Sequence, residues 1–349
     1  MNKLCLALLL AAHAWAGAAT PIYKAEFLGA AHAPTDLNNN GAVLNNLYVD
    51  GHYTSSLSTR SGVVAIDGFG GPDVYGAAVN DAGVVTGYAT HLDGRSHAFV
   101  HADGKTRDLG TLGGLSSGAS AINNAGAVVG TSWNAAGEAR AFLYTPDGGM
   151  QDLGTLGGAR SEAHGISEAG EVLGTSFTAA GEWHTFLYSG GTMIDLDTLY
   201  GPGIHGIGPN GELLGTRWET DAAGNLVPRM IIERSAWRPT GDFAIVSSMA
   251  EGYMLGRNRD GTVAMLATPE ASYALAELAG PGWRIEFAVD VNDAGQVLAW
   301  GCNWQLGHGC GNVLLSPVPE PATCGMLAAG LGIVALARRR KGSAVSRSA

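Results

Sequence analysis

Four histidines are the first residues that could do chemistry. His97 and His184 occur in matching contexts, His97-Ala98-Phe99 and His184-Thr185-Phe186, and His91 and His101 lie close to His97. Imidazoles grouped this way suit a transition metal or a proton-transfer site. The place of His97 is taken by Arg140 in the next matching stretch, however, so no ring of imidazoles is expected. They are read as polar residues inherited on one strand face, and neither a metal-ligand set nor a cofactor is assigned. Asp108-Leu109, Asp152-Leu153 and Asp195-Leu196 recur at equivalent places. They would form a carboxylate ring if they faced a channel, but a cap on a turn or a bond to a nearby N–H is favoured. Asn80-Asp81, Asn292-Asp293 and Asp147-Gly148-Gly149 offer oxygens to Ca²⁺. The regular alternation of a Ca²⁺ loop is missing, and side-chain turns account for them.

Nucleophiles are poorly served. There is no Gly-x-Ser-x-Gly elbow, phosphate loop or His-Glu-x-x-His run. Ser116-Ser117-Gly118 has no base beside it, and Ser161 could meet His164 without a third group to orient the pair. No catalytic residue is assigned. Trp133, Trp183, Trp218, Trp237, Trp283, Trp300 and Trp304 would stack sugars if several shared a rim, and would only fill the interior otherwise. Cys302 and Cys310 bracket a short glycine-containing loop, and such a spacing in an exported chain is a candidate disulfide.

The elements that must hold these residues are strands. The chain has 349 residues, 53 of them Gly, with 46% hydrophobic and only 15% charged, so it can bury a core and must turn often. Short runs of Val, Ile, Leu, Phe and Thr lie between Gly/Asn/Asp clusters, the pattern of strands and turns. A segment typified by Ala121-Ile122-Asn123-Asn124-Ala125-Gly126-Ala127-Val128-Val129 recurs along the chain. Its turn glycines are Gly41, Gly83, Gly126, Gly170, Gly211, Gly252 and Gly295, spaced by 42, 43, 44, 41, 41 and 43 residues. Seven copies at so even a period indicate a repeat architecture.

One unit reads as a hairpin turn, a Val-Val-Gly strand, a polar loop such as Asn134 to Glu138, a strand such as Arg140 to Tyr144, and a fourth segment. That fourth segment is Thr106 to Gly114, echoed by Gln151 to Gly158 and Met193 to Gly201. Four short strands in such a period match one propeller blade, against an open solenoid or two sandwiches. The last unit ends on Asn312-Val313-Leu314-Leu315 without a fourth strand. Tyr23 to Gly29 resembles Thr106 to Gly110 and is expected to supply it, closing the ring. His97-Ala98-Phe99, Asp108 to Gly114 and Ile122 to Gly126 resemble the HAF-type extracellular repeat family. Units two to four carry the resemblance; from Arg217 to Ala288 only the spacing remains. It implies an exported repeat protein and names no ligand.

Both ends read as addresses. Met1-Asn2-Lys3, the apolar run Leu4 to Ala12 and small-x-small sites at Ala14-Trp15-Ala16 and Ala16-Gly17-Ala18 form a signal peptide. At the other end stand Pro319-Glu320-Pro321, an apolar stretch from Cys324 to Ala337, and Arg338-Arg339-Arg340-Lys341. The stretch is short for a span but rich in the glycines of transmembrane helices, and the basic cluster would hold its end in the cytoplasm. This order resembles the PEP-CTERM sorting signal of exopolysaccharide-producing Gram-negative bacteria, which implies recognition by an exosortase-type protease. Without the two ends the chain keeps 14 basic against 31 acidic residues, Glu320 counted among them, so nucleic acid and anionic lipid surfaces are discounted as partners.

The expected architecture is all-β: a β-propeller of seven four-stranded blades over residues 20–316. It follows a signal peptide over 1–19 and precedes a sorting and anchor segment with a transmembrane helix over 317–341 and a cytoplasmic tail over 342–349. The expected function is a non-enzymatic cell-envelope or extracellular-matrix protein. It would bind protein or polysaccharide, touch the membrane only through its tail, and then reside at the cell surface or outside. The alternative is a glycan-active hydrolase or lyase on the same scaffold.

Overall fold

The computed structural model describes residues 21–29 and 33–318. The leader, Pro319-Glu320-Pro321 and Arg338-Arg339-Arg340-Lys341 lie outside the described residues. Among the described residues no helix is long and apolar enough to cross a membrane.

Seven antiparallel sheets follow one another along the chain. The first strand, β1 (Tyr23–Gly29), is set aside for the end. Blade 1 is β2 (Ala33–Leu37), β3 (Val43–Val49), β4 (His52–Thr59) and β5 (Gly62–Ile66). Blade 2 is β6 (Gly70–Val79), β7 (Val85–His91), β8 (Ser96–Ala102) and β9 (Lys105–Asp108). Blade 3 is β10 (Gly113–Ile122), β11 (Val128–Asn134), β12 (Ala139–Thr145) and β13 (Gly149–Asp152). Blade 4 is β14 (Gly157–Ile166), β15 (Val172–Thr178), β16 (Trp183–Ser189) and β17 (Thr192–Asp195), followed by the short helix α1 (Leu196–Tyr200).

Blade 5 has three strands, β18 (Ile204–Ile207), β19 (Leu213–Thr220) and β20 (Leu226–Glu233). Blade 6 is β21 (Phe243–Ala250), β22 (Tyr253–Asn258), β23 (Ala264–Ala267) and β24 (Ser272–Ala274), followed by α2 (Leu275–Ala279). Blade 7 is β25 (Arg284–Val291), β26 (Val297–Asn303) and β27 (Gly309–Pro317), and β1 pairs with β27 as its fourth strand. The propeller is therefore closed by its own N-terminal strand. β27 runs beyond the Leu315 expected from the sequence, because Tyr23 pairs opposite Pro317 and the Val318 N–H donates to the Ile22 carbonyl at 2.7 Å.

Two devices recur from blade to blade. In the turn between the first two strands, the Asn80 side-chain oxygen accepts from the N–H of Ala82 (3.1 Å) and Val84 (3.0 Å), while Gly83 takes φ 77°. Asn38, Asn123 and Asn292 do the same for the residue four places on. The second device is the glycine of the Val-Val-Gly strand. The inner strand bulges beside it, and a Cβ on Gly130 would collide with the Gly118 carbonyl. Opposite Gly130 lies Phe142, fully buried, and the pairs Gly87–Phe99 and Gly174–Phe186 repeat the arrangement. The phenylalanine ring fills the volume the glycine leaves, an aromatic rescue of a strand glycine.

The cores lie between blades. One apolar cluster joins blades 1 and 2 through Leu44, Val74 and Phe99, and another joins blades 2 and 3 through Ala98, Val128 and Phe142. The series continues around the ring, and Leu37, Val43 and Leu298 join blade 7 to blade 1. Each blade thus needs both neighbours to bury its faces, so closure and stability are one problem.

Candidate functional site

The innermost strands, β2, β6, β10, β14, β18, β21 and β25, line a central channel with a cavity of about 500 Å³ at the end where the asparagine turns sit. Those turns are tied blade to blade along an arc from blade 7 through blade 1 to blade 4. The Asn292 amide donates to the Asn38 carbonyl (3.0 Å), Asn38 to Asn80 (2.9 Å), Asn80 to Asn123 (3.1 Å), and Asn123 to Ser167 (3.1 Å). The next residue of each of these turns forms a second arc beside the first. The Asp293 N–H donates to Asn39, Asn39 to Asp81, Asp81 to Asn124 and Asn124 to Glu168, at 2.8 to 3.0 Å. Asn80-Asp81 and Asn292-Asp293, which could have served Ca²⁺, are engaged in holding blades together, while Asp147-Gly148-Gly149 lies in the β12–β13 hairpin, where the Gly148 N–H donates to Thr145.

Two carboxyl groups deeper in this channel were not singled out from the sequence. Asp36 accepts from the N–H of Val79 (2.7 Å) and Leu37 (3.0 Å). Asp290 accepts from the Ser248 hydroxyl (2.8 Å) and the Leu37 N–H (3.3 Å). Burial first, and the neighbouring Asp290 charge second, hold the Asp36 carboxyl well above the usual carboxylate range, and burial raises Asp290 as well. Two carboxyls buried side by side resist carrying two charges, which is why both are pushed upward. A signal existed: both stand two residues before the turn asparagine, where the other units carry Ala78, Ala121, Gly165, Gly206 and Ser248. Units 7 and 1 become neighbours only when the ring closes.

Asp108, Asp152 and Asp195 do not line the channel. They end the outermost strands β9, β13 and β17. One oxygen of each caps the turn that follows, accepting from the N–H of Gly110 (2.7 Å), Gly154 (2.8 Å) and Thr198 (3.1 Å). Asp195 thereby becomes the N-cap of α1, and a helix stands where the sequence suggested a copy of the blade-to-blade crossing. The other oxygen faces the third strand. His97 Nδ1 donates to Asp108 (2.8 Å), Arg140 Nε stands 3.7 Å from Asp152, and His184 Nδ1 donates to Asp195 (2.8 Å). Chiefly through that bond, the His184 imidazole titrates above its ordinary value.

The remaining histidines separate. His91 joins His97, with Nε2 3.1 Å from the same Asp108 oxygen. His101 turns elsewhere: Thr106 donates its hydroxyl to the Asp67 carbonyl (2.5 Å), so His101 Nδ1 donates to Thr106 (2.9 Å), leaving Nε2 bare and buried. Burial lowers its pKa. Ser161 is buried, accepting from the Ala141 N–H (2.9 Å) and donating to the Gly154 carbonyl (2.6 Å), while His164 bonds Thr175 instead (2.9 Å). Ser117 repeats the Ser161 pattern with Ala98 and Gly110. These serines brace blade junctions. Cys302 and Cys310 lie directly opposite on β26 and β27, their sulfurs bonded at 2.02 Å.

The aromatic residues gather on the opposite face, where the second and third strands of each blade are joined. Trp133, Trp183, Trp218 and Trp304 are 39%, 44%, 57% and 75% exposed, and all stand in or beside these hairpins. Trp237 and Trp283 instead pack against interblade cores, and Trp300 stacks on Phe287. A run of tyrosines crosses blades 1 and 2: Tyr48 to Tyr53 at 4.8 Å, Tyr53 to Tyr75 at 5.2 Å, Tyr75 to Tyr88 at 5.4 Å between ring centres. Burial raises the pKa of Tyr75 and Tyr88, so both keep their hydroxyl protons.

Beyond Tyr88 lies an open groove of about 490 Å³ between blades 2 and 3, walled by Tyr88 and Trp133 and edged by Ser96, Ser116, Ser120 and Thr131. The groove exists because Gly118 and Thr131 stand in blade 3 where blade 2 has Tyr75 and Tyr88.

Residues 317–341 match the PEP-CTERM protein-sorting motif. Such a signal implies an exported protein, processed by an exosortase-type system and anchored at the membrane by its C-terminus. No curated protein matches the chain. Among solved structures, the β-propeller domain of the Trilobed protease from Pyrococcus furiosus is similar, with 7% identity over 84% of this chain and 99% of that one, and a TM-score of 0.54. That domain is described as having an open velcro topology, whereas β1 closes the ring here. YCF48 bound to a D1 peptide aligns over 86% of this chain and 98% of its own at 11% identity, with a TM-score of 0.46. TolB from Acinetobacter baumannii aligns at 11% identity over 83% of this chain, with a TM-score of 0.37, and the chain spans 55% of that protein. At such identities the likeness shows the fold alone.

Proposed function

We propose that this chain is an exported, non-enzymatic envelope or matrix protein of the HAF-repeat type that holds a neutral polysaccharide in the groove between blades 2 and 3. In this reading residues 1–19 are a removed leader and residues 342–349 a cytoplasmic tail. Pro319-Glu320-Pro321 is where an exosortase-type protease acts, and Arg338-Arg339-Arg340-Lys341 stops transfer. The groove carries the proposal. Tyr88 and Trp133 present apolar ring faces to the C–H faces of a sugar, and the hydroxyls of Ser96, Ser116, Ser120 and Thr131 lie where sugar hydroxyls would need partners. Ser117, the remaining hydroxyl there, is already committed to the blade junction. The chain's 31 acidic residues, all but Glu320 in the body, repel polyanions, which favours an uncharged polymer over an acidic one.

The rival reading, a glycan hydrolase or lyase, has one observation in its favour: Asp36 and Asp290 are neighbouring buried carboxyls, both pushed above the usual carboxylate range. Each carboxyl, however, is already bonded by backbone N–H or hydroxyl groups of the channel wall. A screen of neutral and acidic polysaccharides with product analysis decides between the readings. Retention of neutral polymers at unchanged length supports binding. Shortened products overturn it in favour of catalysis, and retention of acidic polymers alone overturns the choice of ligand.

A further inference from the structure

Blades 2, 3 and 4 meet the same requirement in three ways. Each ends its fourth strand with an aspartate whose outward oxygen faces the third strand. In blade 3 a permanent cation answers it: Arg140 stands between Asp152 (3.7 Å) and Glu138 (2.6 Å). In blade 4 a protonatable ring answers it: His184 sits between Asp195 (2.8 Å) and Glu182 (3.6 Å). Blade 2 departs from both. The residue matching Glu138 and Glu182 is Arg95, itself paired with Asp93 (3.4 Å), so the second carboxylate is gone. A second imidazole, His91, takes the place of Asn134 and Thr178 and comes to the same oxygen of Asp108.

We propose that His91, His97 and Asp108 form a binding site for a divalent transition-metal ion of the zinc class. One ring nitrogen from each of His91 and His97 and a carboxylate oxygen of Asp108 all lie within 4.8 Å of one another. Two bonded separations are 3.1 and 2.8 Å, and ligand atoms on a tetrahedral zinc, with bonds of about 2.0–2.1 Å, stand about 3.3 Å apart. The two His–Asp contacts need to open by a few tenths of an ångström, and rotation of the imidazoles brings their two nitrogens, no more than 4.8 Å apart, to the same spacing. Imidazole and carboxylate are the donor set for zinc and its neighbours rather than for Ca²⁺ or Mg²⁺.

The surroundings orient the ligands. The Gly110 N–H holds the other oxygen of Asp108 at 2.7 Å. Phe69 stacks on His91 with ring centres 4.6 Å apart, and His91 meets His97 edge-on at 4.6 Å. The three side chains are 31%, 20% and 34% exposed, so the remaining coordination positions face solvent. Such a site suits an ion that ties the hairpin to the outer strand, or one that takes a further ligand from outside. It is independent of the sugar groove, which uses the other face of these strands.

The test uses the untagged full-length protein in detergent, freed of metal by chelation. Titration with ZnCl₂ by calorimetry, and with CoCl₂ by visible absorption, should each give one saturable equivalent. H91A and H97A should each weaken it by at least about tenfold. H184A, the matching change in blade 4, should leave it unchanged. D108N keeps the shape of the aspartate and reports on the carboxylate separately, and near-UV circular dichroism checks that each variant is folded. A wild-type protein that takes up no saturable equivalent overturns the proposal, and so does undiminished binding by H91A and H97A.

Discussion

The two faces of the propeller use polar and aromatic side chains in opposite ways. On the turn face, Asn38, Asn80, Asn123 and Asn292 commit every amide to a turn or to the next blade. On the hairpin face, Trp133, Trp183, Trp218 and Trp304 present rings to solvent, and the groove beside Trp133 is edged by hydroxyls. Residues that recur from unit to unit hold the ring together. Residues that break the repeat, such as Tyr75, Tyr88, His91, Asp36 and Asp290, are where function is to be sought.

The contrast can be broken most severely through the core. Phe142 is fully buried over Gly130, and F142A should cost about 3–5 kcal/mol in denaturant unfolding. A loss below about 1 kcal/mol would mean that the Gly–Phe pair is not a structural unit. On the turn face, N80A strips the partner from the Ala82 and Val84 N–H groups and cuts the link to Asn123. It should cost about 1–3 kcal/mol and leave glycan retention intact, and a change in retention would erase the division between the faces.

Asp36 tests the channel with the smallest expected change. Its folded-state pKa lies above the unfolded value, so the folded protein holds the proton more tightly. The resulting stability is fully present below the unfolded value of ~3.9 and is lost as pH rises through the folded one. D36N keeps its one amide oxygen for Val79, leaves Leu37 to Asp290, offers an N–H to Asp290, and cannot ionise. Its melting temperature should exceed that of the wild type at pH 7, with the gap closing towards pH 4. A variant less stable than wild type at pH 7 would show that Asp36 works as an anion.

The parts of this architecture legible in sequence were those that local geometry imposes. The turn glycines need positive φ, so they survive at an even spacing even in blades 5 and 6, where the other repeat residues have gone. Tyr23 to Gly29 announced closure because it copies a fourth strand. The missing outer strand of blade 5 was not legible, since residues 234–242 keep a strand's length but leave the sheet. Arg234 goes back to blade 4 instead, where it pairs with Glu171 at 2.9 Å. The helix after Asp195 was hidden because the same aspartate caps a turn in blades 2 and 3. The site residues were hardest. Asp36 and Asp290 meet only across the closing seam, and the groove is made by what blade 3 lacks at Gly118 and Thr131.

The claim that the blade 2–3 groove holds a neutral polysaccharide is tested most directly by affinity electrophoresis. Wild type, Y88A, W133A and N80A are run through gels containing a neutral polymer retained in the screen. The account predicts that the wild type and N80A are retarded alike, that Y88A and W133A each run free, and that melting of W133A stays within about 0.5 kcal/mol of wild type, as expected for a surface position. Retardation undiminished in both Y88A and W133A would place the sugar elsewhere and contradict it.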